Sequence, residues 1–253
     1  MTGMAGPGTT ATRIRAEIGV ILLVTFGMSG VRSALRLLDA ALAPEPLNAQ
    51  KVTLNAPKAG VHWLDLALQL CSASVLIGWG LLALFLLSGS GVRMFPLRGG
   101  DWLRGAGLAA LIGVPGLVFY LAALHLGLSR QVVPTTLDSV WWQVPVLLVW
   151  SFANAFAEET VVVFWLVTRL RQLGWSTPAV IGASALLRGS YHLYQGFSAG
   201  LGNIVMGLVF AWLFTRTRRV WPLIVAHFLI DAVAFVGYST LVKPLGLAGL
   251  FIS

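Results

Sequence analysis

Charge is what this chain has least of. Only 10% of its 253 residues are Asp, Glu, Lys or Arg, whereas a soluble globular domain carries about a quarter. That scarcity excludes an ordinary water-soluble fold. No long polar linker divides the sequence, so a separate soluble domain is not expected. No Lys/Arg run is interleaved with aromatics, so no nucleic-acid partner is expected despite the net charge of +8. The single cysteine, Cys71, excludes an intrachain disulfide and a CxxC metal site. It lies in an apolar segment and reads as a small hydrophobe. No clear A-x-A site follows the first apolar run, which speaks against a cleaved signal peptide.

What is present is apolar: 57% of the residues are hydrophobic, and the mean hydropathy is +0.84. The fold class expected is all-α, a polytopic transmembrane bundle of about seven or eight helices. The candidate spans are Glu17–Leu38, Val61–Leu87, Leu103–Leu126, Val140–Leu170, Pro178–Gln195, Gly200–Thr215 and Trp221–Val242. Pro244–Ile252 is a candidate short eighth segment. The fifth and sixth are short, joined by the turn GFSAGLG, and are expected inside the bundle. Residues 1–16 read as a cytoplasmic tail and residues 17–253 as one transmembrane domain. The basic residues at the segment ends alternate as the positive-inside rule requires if the N-terminus is cytoplasmic. Arg13, Arg15, Arg93, Arg98, Arg104, Arg169, Arg171, Arg216, Arg218 and Arg219 then share the inner side. The expected location is a bacterial cell membrane, with Ala41–Gly60 as the main outer loop.

Six ionisable residues break the apolar pattern deep in the spans: Glu158, Glu159, Arg188, His192, His227 and Asp231. A charge at mid-bilayer costs about 2.5–3.5 kcal/mol on insertion scales. Glu17 and Asp65, by contrast, lie near segment ends and can reach the interface. At a rise of about 1.5 Å per residue, Glu158 lies roughly 16 Å from the Arg169 end. His192 lies roughly 21 Å from Pro178, and His227 and Asp231 roughly 9 and 15 Å from Trp221. Three helices can therefore bring their polar groups to one level. His227 and Asp231 share a helix face, as do Arg188 and His192, each pair being i and i+4. Structural glue between helices and a proton or ion path are the simpler uses of such groups. A carboxylate in low dielectric can also serve as general base and then acid. His and carboxylate together can bind a divalent metal such as zinc. Both routes lead to amide hydrolysis. Ser184 and Ser190 lack the Gly-x-Ser-x-Gly setting of a nucleophile.

The three motifs, AEETVVV with Glu158 and Glu159, LLRGSYHLYQG with His192, and WPLIVAHFLID with His227 and Asp231, resemble the CPBP intramembrane proteases. These are the Rce1-type CAAX protease and bacteriocin-processing family. The likeness covers about residues 152–235. It implies an intramembrane endopeptidase acting on membrane-embedded or lipidated peptide substrates. It also implies roles. Glu158 would activate water with His192, His227 and Asp231 would steady the oxyanion, and Glu159 would hold the site in shape. If a metal such as zinc is bound, the same four residues, Glu158, His192, His227 and Asp231, would be its ligands. The family usually carries Arg four residues after the second Glu, where this chain has Val163. It carries an aromatic four residues before the first motif His, where this chain has Arg188. The two departures are read together: Arg188 is expected to pair with Glu159. The alternatives are a non-catalytic membrane scaffold or immunity-type protein, and a small proton-coupled transporter.

Overall fold

The chain folds as an all-α bundle, described by a computed structural model at residues 7–137, 140–242 and Leu245. In chain order it runs α1 (Pro7–Val24), α2 (Phe26–Leu42), β1 (Lys51–Asn55), α3 (His62–Ser88), α4 (Gly99–His125) and β2 (Gln131–Thr135). Then come α5 (Gln143–Glu158), a π-helical stretch (Glu159–Trp165), α6 (Leu166–Gln172), α7 (Thr177–His192), α8 (Phe197–Thr217) and α9 (Trp221–Gly237). Among the described residues, five helical spans are long and apolar enough to cross a membrane, or six if the bent pair α1–α2 counts as one. The expected eighth segment, Pro244–Ile252, falls almost wholly outside the described residues.

Several boundaries differ from the sequence reading, each for a local reason. Helix α1 already begins at Pro7, inside the expected tail. Glu17–Leu38 is two helices, bent by 45°. At the break, Thr25 turns its hydroxyl back to the Ile21 carbonyl at 2.6 Å, a bond that competes with the helical ladder. The turn before α8 is shorter than GFSAGLG. It closes at Gly196, whose φ of 121° suits only glycine, and Phe197 already starts the helix. Helix α7 has 16 residues, too few to span the hydrocarbon alone.

The loop expected on the outer side is not featureless. Its β1 pairs in parallel with β2, Lys51 opposite Gln131 and Asn55 opposite Thr135. Arg130 ties this ribbon to the end of α7. Its guanidinium donates to the carbonyls of Tyr194 and Lys51, and its backbone N–H donates to Gln195.

At the other end, Arg169 and Glu17 do not behave as interface charges. The Arg169 guanidinium grips both Glu17 oxygens at 2.6 and 3.0 Å. It also donates to Ser90, Gln172 and the Leu86 carbonyl. Trp165 adds its indole N–H to Glu17 at 2.8 Å. This pair, Arg169 buried and Glu17 partly so, fastens α1 to α6 just past the end of the π-helical stretch. Asp65, also expected to reach the interface, is buried and accepts the Lys58 N–H. Between the spans, Arg219 pairs with Asp101, whose carboxylate holds the guanidinium above its ordinary pKa.

The π-helical stretch is the centre of the core. Every one of its residues is buried. Three consecutive valines, Val161–Val163, are stiff and crowd an α-helical turn. Thr160 directs its hydroxyl to the Phe156 and Ala157 carbonyls. Both features loosen the i→i−4 ladder at this point, and such insertions in a helix concentrate at functional sites.

Candidate active site

The α5–π stretch, α7 and α9 bring all six ionisable residues into one connected cluster. Arg188 is at its centre and has no exposed surface. Its Nη2 donates to Glu159 Oε1 at 2.5 Å, and its Nη1 to Glu158 Oε2 at 3.3 Å. The expected pairing of Arg188 with Glu159 is present, and the guanidinium reaches Glu158 as well. Glu159 Oε1 also meets His227 Nδ1 at 2.8 Å. His227 Nε2 faces Asp231 Oδ1 at 3.7 Å. On the other side, His192 Nε2 stands 3.7 Å from Glu158 Oε2. The contacts therefore form one chain: His192, Glu158, Arg188, Glu159, His227, Asp231.

The surroundings explain why each group is where it is. Glu158 and Glu159 lie at the junction of α5 and the π-helical stretch, so they point to different neighbours. Space for the Arg188 side chain comes from Gly207 on α8. A Cβ there would lie 2.7 Å from Ala185 Cα and 3.3 Å from Arg188 Cδ. The guanidinium also lies over the Phe210 ring, 5.3 Å from its centre, a favourable seat for a cation. Ser184, set aside as a nucleophile, donates to the Val162 carbonyl at 2.8 Å and so secures α7 to the π-helical stretch. Val163, at the position where the family resembled carries an arginine, is wholly buried.

Two participants escaped the sequence reading. Tyr191 donates its hydroxyl to Glu158 Oε2 at 2.7 Å. Asn154 donates to Asp231 Oδ2 at 3.2 Å. Their signals were slight: Asn154 is one turn before Glu158 on the same helix, and Tyr191 is next to His192. Neither carries charge, so neither stood out from an apolar run.

The expected metal-ligand set does not fit. Among the described residues, no three His, Cys, Asp or Glu side chains are grouped so as to hold an ion. Glu158 Oε2 is taken by Tyr191 and Arg188, and Glu159 Oε1 by Arg188 and His227.

What this geometry can do is move a proton and stabilise a negative charge away from bulk water. It lies within a stretch that a family model matches. Residues 139–233 match the Rce1-like family, described as type II CAAX prenyl endopeptidase Rce1-like. The resemblance drawn from the three motifs thus holds, and the matched stretch includes all six clustered residues. No curated protein and no solved structure matches the chain.

Proposed function

We propose that this protein is an intramembrane endopeptidase that hydrolyses a peptide bond in a membrane-associated, lipid-bearing substrate. The observation that carries the reading is the unbroken chain of contacts from His192 to Asp231, buried within the Rce1-like stretch. Prenylated peptides are the substrate class that the matched family's description suggests.

The mechanism follows from which atoms are engaged. Tyr191, Arg188 and His192 all face Oε2 of Glu158, leaving Oε1 for a water molecule. Glu158 takes a proton from that water as its oxygen attacks the carbonyl carbon, with the His192 ring orienting it. A carbon–oxygen bond forms, and the carbonyl electron pair moves onto oxygen. Asp231 positions His227 and Asn154, and the His227 ring and the second amide N–H of Asn154 are the donors this reading assigns to the oxyanion. Stabilisation of developing charge by fixed dipoles is commonly the largest catalytic contribution. Glu158 then returns its proton to the leaving nitrogen as the carbon–nitrogen bond breaks. Glu159 and Arg188 do not touch substrate. Arg188 sits against both adjacent carboxylates and offsets their charge in low dielectric, where an unpaired buried charge is costly.

The test compares cells expressing the wild-type protein with cells expressing Glu158→Gln at matched levels, reading new protein N-termini across the membrane proteome. Products that disappear in Glu158→Gln are expected and would name the substrate. Identical N-termini in the two would leave the scaffold reading in their place.

A further inference from the structure

Five of the arginines at the Arg169 end of the bundle fall into two groups. Arg169 is neutralised by Glu17, and Arg219 by Asp101. Arg171, Arg216 and Arg218 have no carboxylate partner among the described residues. The sequence explains this in part, since no Asp or Glu occurs between Glu159 and Asp231. These three arginines are not scattered. With Thr177, Trp212 and Thr215 they line one cavity of about 330 Å³ between the start of α7 and the end of α8.

The cavity is already organised. Arg171 is held by the Trp175 carbonyl and the Thr177 hydroxyl at 3.2 and 3.0 Å. Arg216 lies over the Trp212 ring at 5.9 Å. Arg218 caps α8 with a φ of 57°, a left-handed conformation that glycine would adopt at less cost. The first turn of α7 has no side-chain cap, so its free N–H groups add positive potential on the same side.

The occupant is marked by what adjoins the cavity. Phe197, Leu201, Val205, Leu208 and Trp212 are each 41–54% exposed. Their spacing places them on one face of α8. This apolar stripe rises from the cavity for roughly 22 Å at 1.5 Å per residue, enough for an acyl chain in one leaflet of a core about 30 Å thick. A soluble anion would use the arginines and ignore the stripe.

We infer that this cavity is a binding site for an anionic phospholipid, its headgroup phosphate among Arg171, Arg216 and Arg218 and its acyl chain along α8. The site goes beyond the proposed hydrolysis and does not depend on it. It bears on the cluster through one element: α7 starts at the lipid and ends at Arg188 and His192.

The full-length protein in detergent is delipidated and offered phosphatidylglycerol, phosphatidylcholine or inorganic phosphate. Native mass spectrometry then reads the retained species. Retention of phosphatidylglycerol over phosphatidylcholine, without competition from phosphate, is expected. With all three arginines changed to Gln, that preference should fall about a hundredfold, roughly fivefold per basic residue. Changing exposed Arg15, Arg93 and Arg104 to Gln should leave it unchanged. Arg218→Gly relieves the backbone, so a loss of lipid in that variant cannot be ascribed to misfolding. Equal retention of the two lipids, equal retention by the triple variant, or displacement by phosphate would each overturn the assignment.

Discussion

Replacing Arg188 by methionine keeps much of the side chain's bulk and deletes its charge. The structure says what that deletion leaves behind. Glu159 has no exposed surface and loses its 2.5 Å partner, while Glu158 keeps only Tyr191 and His192. Removing one partner of a buried ion pair costs about 3–5 kcal/mol, because the remaining charge is uncompensated. At about 2–4 °C per kcal/mol for a chain of this size, the unfolding midpoint should fall by roughly 6–20 °C. Glu159→Gln alone should cost a similar amount, since it leaves the buried guanidinium with only its longer 3.3 Å contact to Glu158. The double variant Arg188→Met/Glu159→Gln should be less damaged than the sum of the two. A coupling of about 2–3 kcal/mol lies within the range for residues in one network. The assay is thermal unfolding of the purified protein in detergent, run as the complete cycle. Arg188→Lys is a useful fifth point: one ammonium cannot present two fixed donors to two carboxylates, so it should recover only part of the loss. Strictly additive single effects would refute the reasoning and reduce Arg188 to a residue that merely fills space beside Phe210.

Two further outcomes follow from contacts outside the ion pairs. Tyr191→Phe removes one hydrogen bond to Glu158 Oε2 and should cost about 1 kcal/mol, read as roughly a fivefold loss of kcat in a cleavage assay with KM little changed. Gly207→Ala places a Cβ 2.7 Å from the Ala185 backbone. Helices α7 and α8 must then separate, and a loss of about 1–3 kcal/mol is expected from overpacking, together with reduced cleavage because Arg188 sits at that contact.

The sequence was most legible where physics penalises the residue. A carboxylate in an apolar span is costly enough to need a reason, so Glu158, Glu159, Arg188, His192, His227 and Asp231 could be singled out without coordinates. Their helical spacing then indicated a common level, and the contacts bear that out. The Arg188–Glu159 pair was readable from the resemblance together with that cost: the family carries an arginine at the Val163 position, and here an arginine stands instead one turn from His192. Tyr191 and Asn154 were not readable, because an uncharged polar side chain in a helix has a satisfactory alternative on its own backbone. The π-helical stretch was hidden for a related reason. Periodicity locates an apolar helix but does not distinguish one hydrogen-bond ladder from another.

The same asymmetry explains the misjudged charges at the bundle ends. Glu17 and Asp65 were placed at the interface because a residue near a helix end has a cheap route to water. Rule-of-thumb depth cannot see the partner that makes the inward route cheaper still. For Glu17 that partner is Arg169, 152 positions away, which arrives with two hydrogen bonds to the carboxylate and three more to its own surroundings. Positive-inside counting would use Arg169 only as a topological marker. Its neutralisation also changes how the neighbouring arginines are read. With Arg169 and Arg219 accounted for by Glu17 and Asp101, Arg171, Arg216 and Arg218 stand apart from the other basic residues at that end. They are three cations around one cavity, beside a stripe of exposed apolar side chains. Net charge taken from composition could not separate these populations, because the separation depends on which carboxylates fold back to meet which arginines.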